Sequence, residues 1–165
     1  MREAAANKHT WWLSALYVGT FGSFIGYSFA FGLVLQTEFG FTPLQAASWT
    51  FLGPLLGSLA RPLGGWLADR WGGGRVTLWT FAGMAVGTAA LLLASSQGSF
   101  AGYVAVFIAL FVLTGVGNGS TYKMIPAVFT REAEREVAAG VEATAVFAWA
   151  RRMSGAVIGI AGAVG

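Results

Sequence analysis

The chain has 165 residues, of which 56% are hydrophobic and 10% charged, with 24 glycines, no cysteine, one histidine and a formal net charge of +3. A water-soluble domain carries about 25% charged residues, so a mean hydropathy of +0.65 points to the bilayer as solvent, and the lack of cysteine excludes a disulfide framework or a thiolate metal site. The positive charges sit at the ends of apolar runs, as membrane topology requires, and not on one face that would grip nucleic acid.

Residues 1–10, MREAAANKHT, are polar, and His9 alone there cannot assemble a zinc site. A charge-free run follows, longer than a signal-peptide core and without a small-x-small cleavage site, so it reads as a retained membrane span over 11–36. Glu38 and GFTP make a short turn. The second span covers 44–68, interrupted only by Arg61, and DRWGGGR closes a tight loop before the third, 76–94. SSQGS is a turn signal, after which the fourth span covers 100–122. Each uncharged run supplies the roughly 20 apolar residues that a helix needs to cross about 30 Å of hydrocarbon.

From 123 to 152 the chain carries four acids and five bases, a density that a span does not tolerate. This segment reads as a cytoplasmic loop and partly amphipathic helix. MSGAVIGIAGAVG, residues 153–165, is apolar again but supplies only about 20 Å of helix, the start of a fifth span. Lysine and arginine collect at the N-terminus, in the second-to-third loop and after the fourth span, which by the positive-inside rule makes the N-terminus cytoplasmic. The expected fold is therefore an all-α membrane protein, a polytopic helical bundle of about five transmembrane helices. Gly22/Gly26, Gly53/Gly57, Gly83/Gly87, Gly115/Gly119 and Gly155/Gly159 give it small residues at close-packing spacing.

Arg61 is the residue out of place. It lies about 12 Å along the helix from Asp69, near the bilayer midplane, where an arginine costs about 2.5 to 3.5 kcal/mol. No Asp or Glu falls within any span, so the offset comes from backbone carbonyls, cavity water, an acid on another segment or an anionic substrate. Gly53, Gly57 and Arg61 share a helix face, which turns the guanidinium toward the bundle interior, and Pro54 and Pro62 flank it. A guanidinium is a planar fork of donors suited to a planar oxyanion, and a structural arginine bonded to carbonyls is the competing reading. Asn118 serves equally well as a substrate ligand or as a bond to a neighbouring helix. Tyr17 and Phe21 are four apart on one face, a spacing that on its own favours packing over ligand contact.

With these residues in view, GGWLADRWGGGRV resembles the signature loop of the major facilitator superfamily, which joins the second and third helices of each six-helix half. More narrowly, GTFGSFIGYSFAFGL, FLGPLLGSLARPLGGWLADRWGGGRVTL and GVGNGSTYKMIP resemble, in order, blocks of the C-terminal half of the nitrate/nitrite porters. The resemblance implies transport by alternating access in an inner membrane, with Arg61 as one of two arginines that clamp nitrate or nitrite. It also implies that Tyr17 and Phe21 line the site, and that Asp69, Arg70 and Arg75 form ion pairs at the cytoplasmic helix ends that gate the cycle. The N-terminal half, with its own arginine, is then an expected partner beside the lipid bilayer and the anion, and the chain is a piece of a longer transporter. No cofactor is implied, and the glycines around Asn118 follow no strand that would make them a dinucleotide fingerprint. A facilitator of another small solute and a structural membrane subunit are the rival functions; a catalytic constellation is missing for an enzyme.

Overall fold

The computed structural model describes residues 2–164 and is built of helices alone among them. A short α1 (Arg2–Ala6) is followed by α2 (Lys8–Tyr17), a π-helical turn (Val18–Gly22) and α3 (Ser23–Thr37), which run on as one rod. After a turn come α4 (Pro43–Thr50), α5 (Leu52–Trp71), α6 (Gly73–Ser96), α7 (Phe100–Ala138) and α8 (Ala143–Val164). Local chemistry sets several of these limits. Thr42 and Gln45 form a reciprocal capping box with Pro43 in the first turn of α4, and the Ser99 hydroxyl accepts from the Gly102 amide at the start of α7. Gly72, with φ of 87°, makes the turn between α5 and α6, and Gly140, with φ of 95°, that between α7 and α8.

The rod Lys8–Thr37, α6 and α7 are long and apolar enough to cross a membrane. Helix α5, with 20 residues, and α8, with 22, are of membrane-spanning length but carry Arg61, Asp69 and Arg70, and Arg151 and Arg152, respectively. The apolar runs and the helices do not end together. The sequence places a boundary at Tyr122, yet α7 continues unbroken for 39 residues through Lys123 and Pro126 to Ala138, and α8 begins at Ala143 rather than near 153. Hydropathy registers the solvent around a helix, whereas the backbone stops only where Gly140 adopts a left-handed conformation. The charged segment is thus the shared end of two long helices, not a separate one.

Helix α7 is the hub, packed against α5, α6 and α8. Its contact with α5 is made by backbone. A Cβ at Gly57 would stand 2.7 Å from the Phe111 carbonyl oxygen, and one at Gly115 would collide with the Gly57 carbonyl. Gly83 and Gly87 of α6 instead receive the side chains of Leu113 and Leu110, whereas a Cβ at Gly26, Gly155 or Gly159 would meet nothing within 4 Å. Along α7 the buried surface changes character twice. Tyr103, Val104, Phe107 and Phe111 join Phe31 and Leu35 in an aromatic cluster, with Phe31 stacked on Phe107 at 4.7 Å. Ile125, Phe129 and Ala133 join Ala4, Leu13, Val146, Ala150, Met153 and Val157 in an aliphatic one. Between them lies a buried polar belt: Thr114, Asn118, Ser120 and Thr121.

Candidate anion site

The polar belt is satisfied only in part: Thr114 donates to the Phe111 carbonyl of its own helix, and two of the other hydrogen bonds come from neighbouring elements. Ser120 Oγ lies 2.9 Å from Thr77 Oγ1 of α6, and the Thr20 hydroxyl donates to Asn118 Oδ1 at 3.0 Å from the π-helical turn. Three polar atoms near the belt's open side are buried without a partner, Arg61 Nε, Asn118 Nδ2 and Thr121 Oγ1. Two of these belong to residues that line a cavity of about 380 Å³ together with Tyr17, Pro62, Gly119 and Tyr122.

Arg61 is held by rings. Its guanidinium carbon lies 5.4 Å from the Phe21 centroid and 5.3 Å from that of Phe24, and no carboxylate pairs with it among the described residues. Aromatic faces carry partial negative charge and attract the cation without using its hydrogen-bond donors. The fork is thus steadied but its donors are left for another acceptor. Tyr17 stacks on Phe21 at 5.2 Å with 18° between the rings, and Tyr122 closes the group from α7, 5.7 Å from Tyr17. The close approach of α5 to α7 puts this within reach, since a Cβ at Gly119 would collide with the carbonyl of Arg61 itself.

The structure therefore brings Tyr17, Arg61 and Asn118 to one cavity and sets Phe21 behind the first two. Phe24, Thr20 and Tyr122 belong to the same cluster and were not singled out in the sequence. Phe24 is three residues after Phe21, so the periodicity that pairs Tyr17 with Phe21 was available to find it. Tyr122 is four residues after Asn118, on the same face of α7.

Asp69 and Arg70 lie in the last turn of α5 and Arg75 in the first turn of α6, and none of them lines the cavity. The ion pair that forms there among the described residues is between Asp69 and Lys123, 3.1 Å apart, while Arg70 stacks over Trp66 at 5.5 Å. Asp69, Arg75 and Lys123 border a wider cleft of about 1000 Å³ with Arg131 and Glu134. Among the described residues Arg70 lies over the Trp66 ring one turn back, and Lys123 from α7 pairs with Asp69.

A family model of the Major Facilitator Superfamily matches residues 1–163. The nitrate/nitrite transporter NarU of Salmonella typhimurium is 45% identical over 124 residues, 73% of this chain and 26% of that protein. NarU of Escherichia coli is 43% identical over the same shares, and the probable nitrate/nitrite antiporter NarK2 of Thermus thermophilus is 39% identical over 74% of this chain and 29% of its own length. The chain spans about a quarter of the length of the curated relatives it matches. Helices apolar enough to cross a membrane more than once, relatives that are transporters rather than enzymes, and a family match along nearly its whole length place this chain in the Major Facilitator Superfamily.

Proposed function

We propose that this chain is part of the C-terminal half of a nitrate/nitrite transporter that works by alternating access, with Arg61 as its anion-binding cation. The observation that carries the reading is the state of that guanidinium: flanked by Phe21 and Phe24, its buried Nε unpartnered, at the wall of a cavity and facing no acid. Nitrate is flat and offers only acceptors. Arg61 and Asn118 Nδ2 offer donors, and the stacked Tyr17 and Phe21 rings give a flat anion a flat wall. The names of the relatives supply the choice of nitrate or nitrite among planar oxyanions.

In the transport cycle a second arginine comes from the N-terminal half. Two facing cations repel until an anion lies between them, so binding makes the closed, desolvated state accessible and the halves rock about the site. The bilayer crossings are 11–36, 44–68, 76–94 and 100–122, with a fifth beginning at 153, in an inner membrane with the N-terminus and residues 123–152 on the cytoplasmic side. Asp69, Arg70 and Arg75 act there as gating charges.

The test is Arg61→Lys in the full-length protein, which keeps the charge and loses the bidentate fork. Nitrate flux into proteoliposomes is expected to fall by at least about tenfold, the value of one charge-assisted hydrogen bond, with insertion unchanged. Undiminished flux overturns the assignment.

A further inference from the structure

Thr20 is wholly buried on the π-helical turn, seated in the notch of Gly117, where a Cβ would come within 2.7 Å of its Cγ2. Its hydroxyl has three acceptors around it: the Leu16 and Tyr17 carbonyl oxygens, each at 3.2 Å, and Asn118 Oδ1 at 3.0 Å. Backbone carbonyls in a helix can be served by amide protons, whereas Asn118 Oδ1 has no other donor among the described residues. Asn118 itself is only 3% exposed. Its Nδ2 is the free end of the carboxamide, without a partner.

A carboxamide is nearly symmetric in shape and opposite in function at its two ends: Oδ1 accepts and Nδ2 donates. Turned over, Asn118 sets a carbonyl oxygen beside any oxyanion in the cavity. We propose that Thr20 is a positioning residue that prevents this. By donating to Oδ1 it holds the carboxamide with its donor end free, so the cavity wall presents donors from both Arg61 and Asn118 and selects a ligand that only accepts. This rests on the reading of the cavity as an anion site, and it explains why a hydroxyl is buried on the one turn of the rod that is not α-helical. The wider π turn lets the Thr20 side chain reach α7 between Tyr17 and Phe21.

The experiment measures nitrate binding to the full-length protein by calorimetry and by nitrate-dependent thermal stabilisation. Thr20→Val keeps the shape and removes the hydroxyl; it is expected to weaken nitrate binding by about fivefold and also to lower the anion-free melting temperature, because Asn118 Oδ1 is left buried without its donor. Thr20→Ser is expected to stay within about twofold of the parent. Thr20→Val added to Asn118→Ala is expected to cost nothing further, because the two act as one unit. Should Thr20→Val not assemble, Thr20→Ser against Thr20→Ala isolates the same hydroxyl. Equal nitrate affinity in the hydroxyl and hydroxyl-free variants, or losses that multiply in the double variant, overturn the positioning role. A parent protein that nitrate does not stabilise at all overturns the anion site itself, a result distinct from either of these.

Discussion

Lys123 Nζ lies 3.1 Å from Asp69 Oδ2, joining the end of α5 to the middle of α7 at the point where the apolar part of α7 gives way to charge. The two side chains are 54% and 57% exposed, so water screens the attraction and the pair contributes at most about 1 kcal/mol to stability. Asp69→Asn is therefore expected to leave thermal unfolding nearly unchanged, with any difference disappearing in high salt. On the proposed gating role, its effect falls on the rate of transport. Nitrate uptake is expected to slow while nitrate affinity stays within about twofold, and an equal loss in both removes the gating role.

The α5–α7 contact makes a sharper prediction about assembly. A Cβ on Gly115 would press on the Gly57 carbonyl, and backbone cannot rotate away as a side chain can. Gly115→Ala is expected to destabilise the bundle by about 1–3 kcal/mol or to block its assembly, read as a lowered melting temperature by size-exclusion fluorescence. Gly26→Ala, whose Cβ meets nothing within 4 Å, is the control and is expected to lie within about 0.5 kcal/mol of the parent. Similar behaviour of the two variants would mean that the helices approach less closely than described.

Phe24 gives a third test. Its ring lies 5.3 Å from the Arg61 guanidinium carbon and meets Phe111 edge-on at 5.5 Å. Phe24→Leu keeps the burial and loses the ring face, and is expected to weaken nitrate binding by about two- to thirtyfold, the range of a cation–π contact of 0.5 to 2 kcal/mol. Phe24→Tyr, which keeps the ring, is expected to bind like the parent. Binding by Phe24→Leu equal to the parent would show that the ring does not act on the guanidinium.

What the sequence made legible follows from the kind of signal each feature leaves. Arg61 stood out because a permanent cation in an apolar run has a cost that something must offset, and Tyr17 and Phe21 because four-residue spacing puts two rings on one face. The glycines at 53, 57, 115 and 119 indicated close helix approach, and they form the α5–α7 contact; those at 26, 155 and 159 have the same spacing, yet a Cβ there would meet nothing within 4 Å. The sequence ends an apolar run at Tyr122 but does not show where α7 ends, because Lys123 and the charges after it mark a change of surroundings, which the helical backbone ignores. Gly140 carried the correct stop signal. The π-helical turn and Thr20 left no trace in composition, since a threonine in a span is common and its importance lies in a contact with Asn118 at a separation of 98 residues. The same is true of Lys123 as the partner of Asp69: pairing across the fold is invisible to spacing along one helix.

The unbroken course of α7 has a mechanical consequence. Asn118 at the cavity and Ala133 in the aliphatic cluster are carried on one continuous helix, about 22 Å apart along its axis, with Pro126 between them. Each degree by which this helix leans about Asn118 sweeps Ala133 sideways by about 0.4 Å, so a lean of about ten degrees becomes a stroke of about 4 Å at the charged end. Helix α8, clasped there through Ala150 and Met153, is dragged with it.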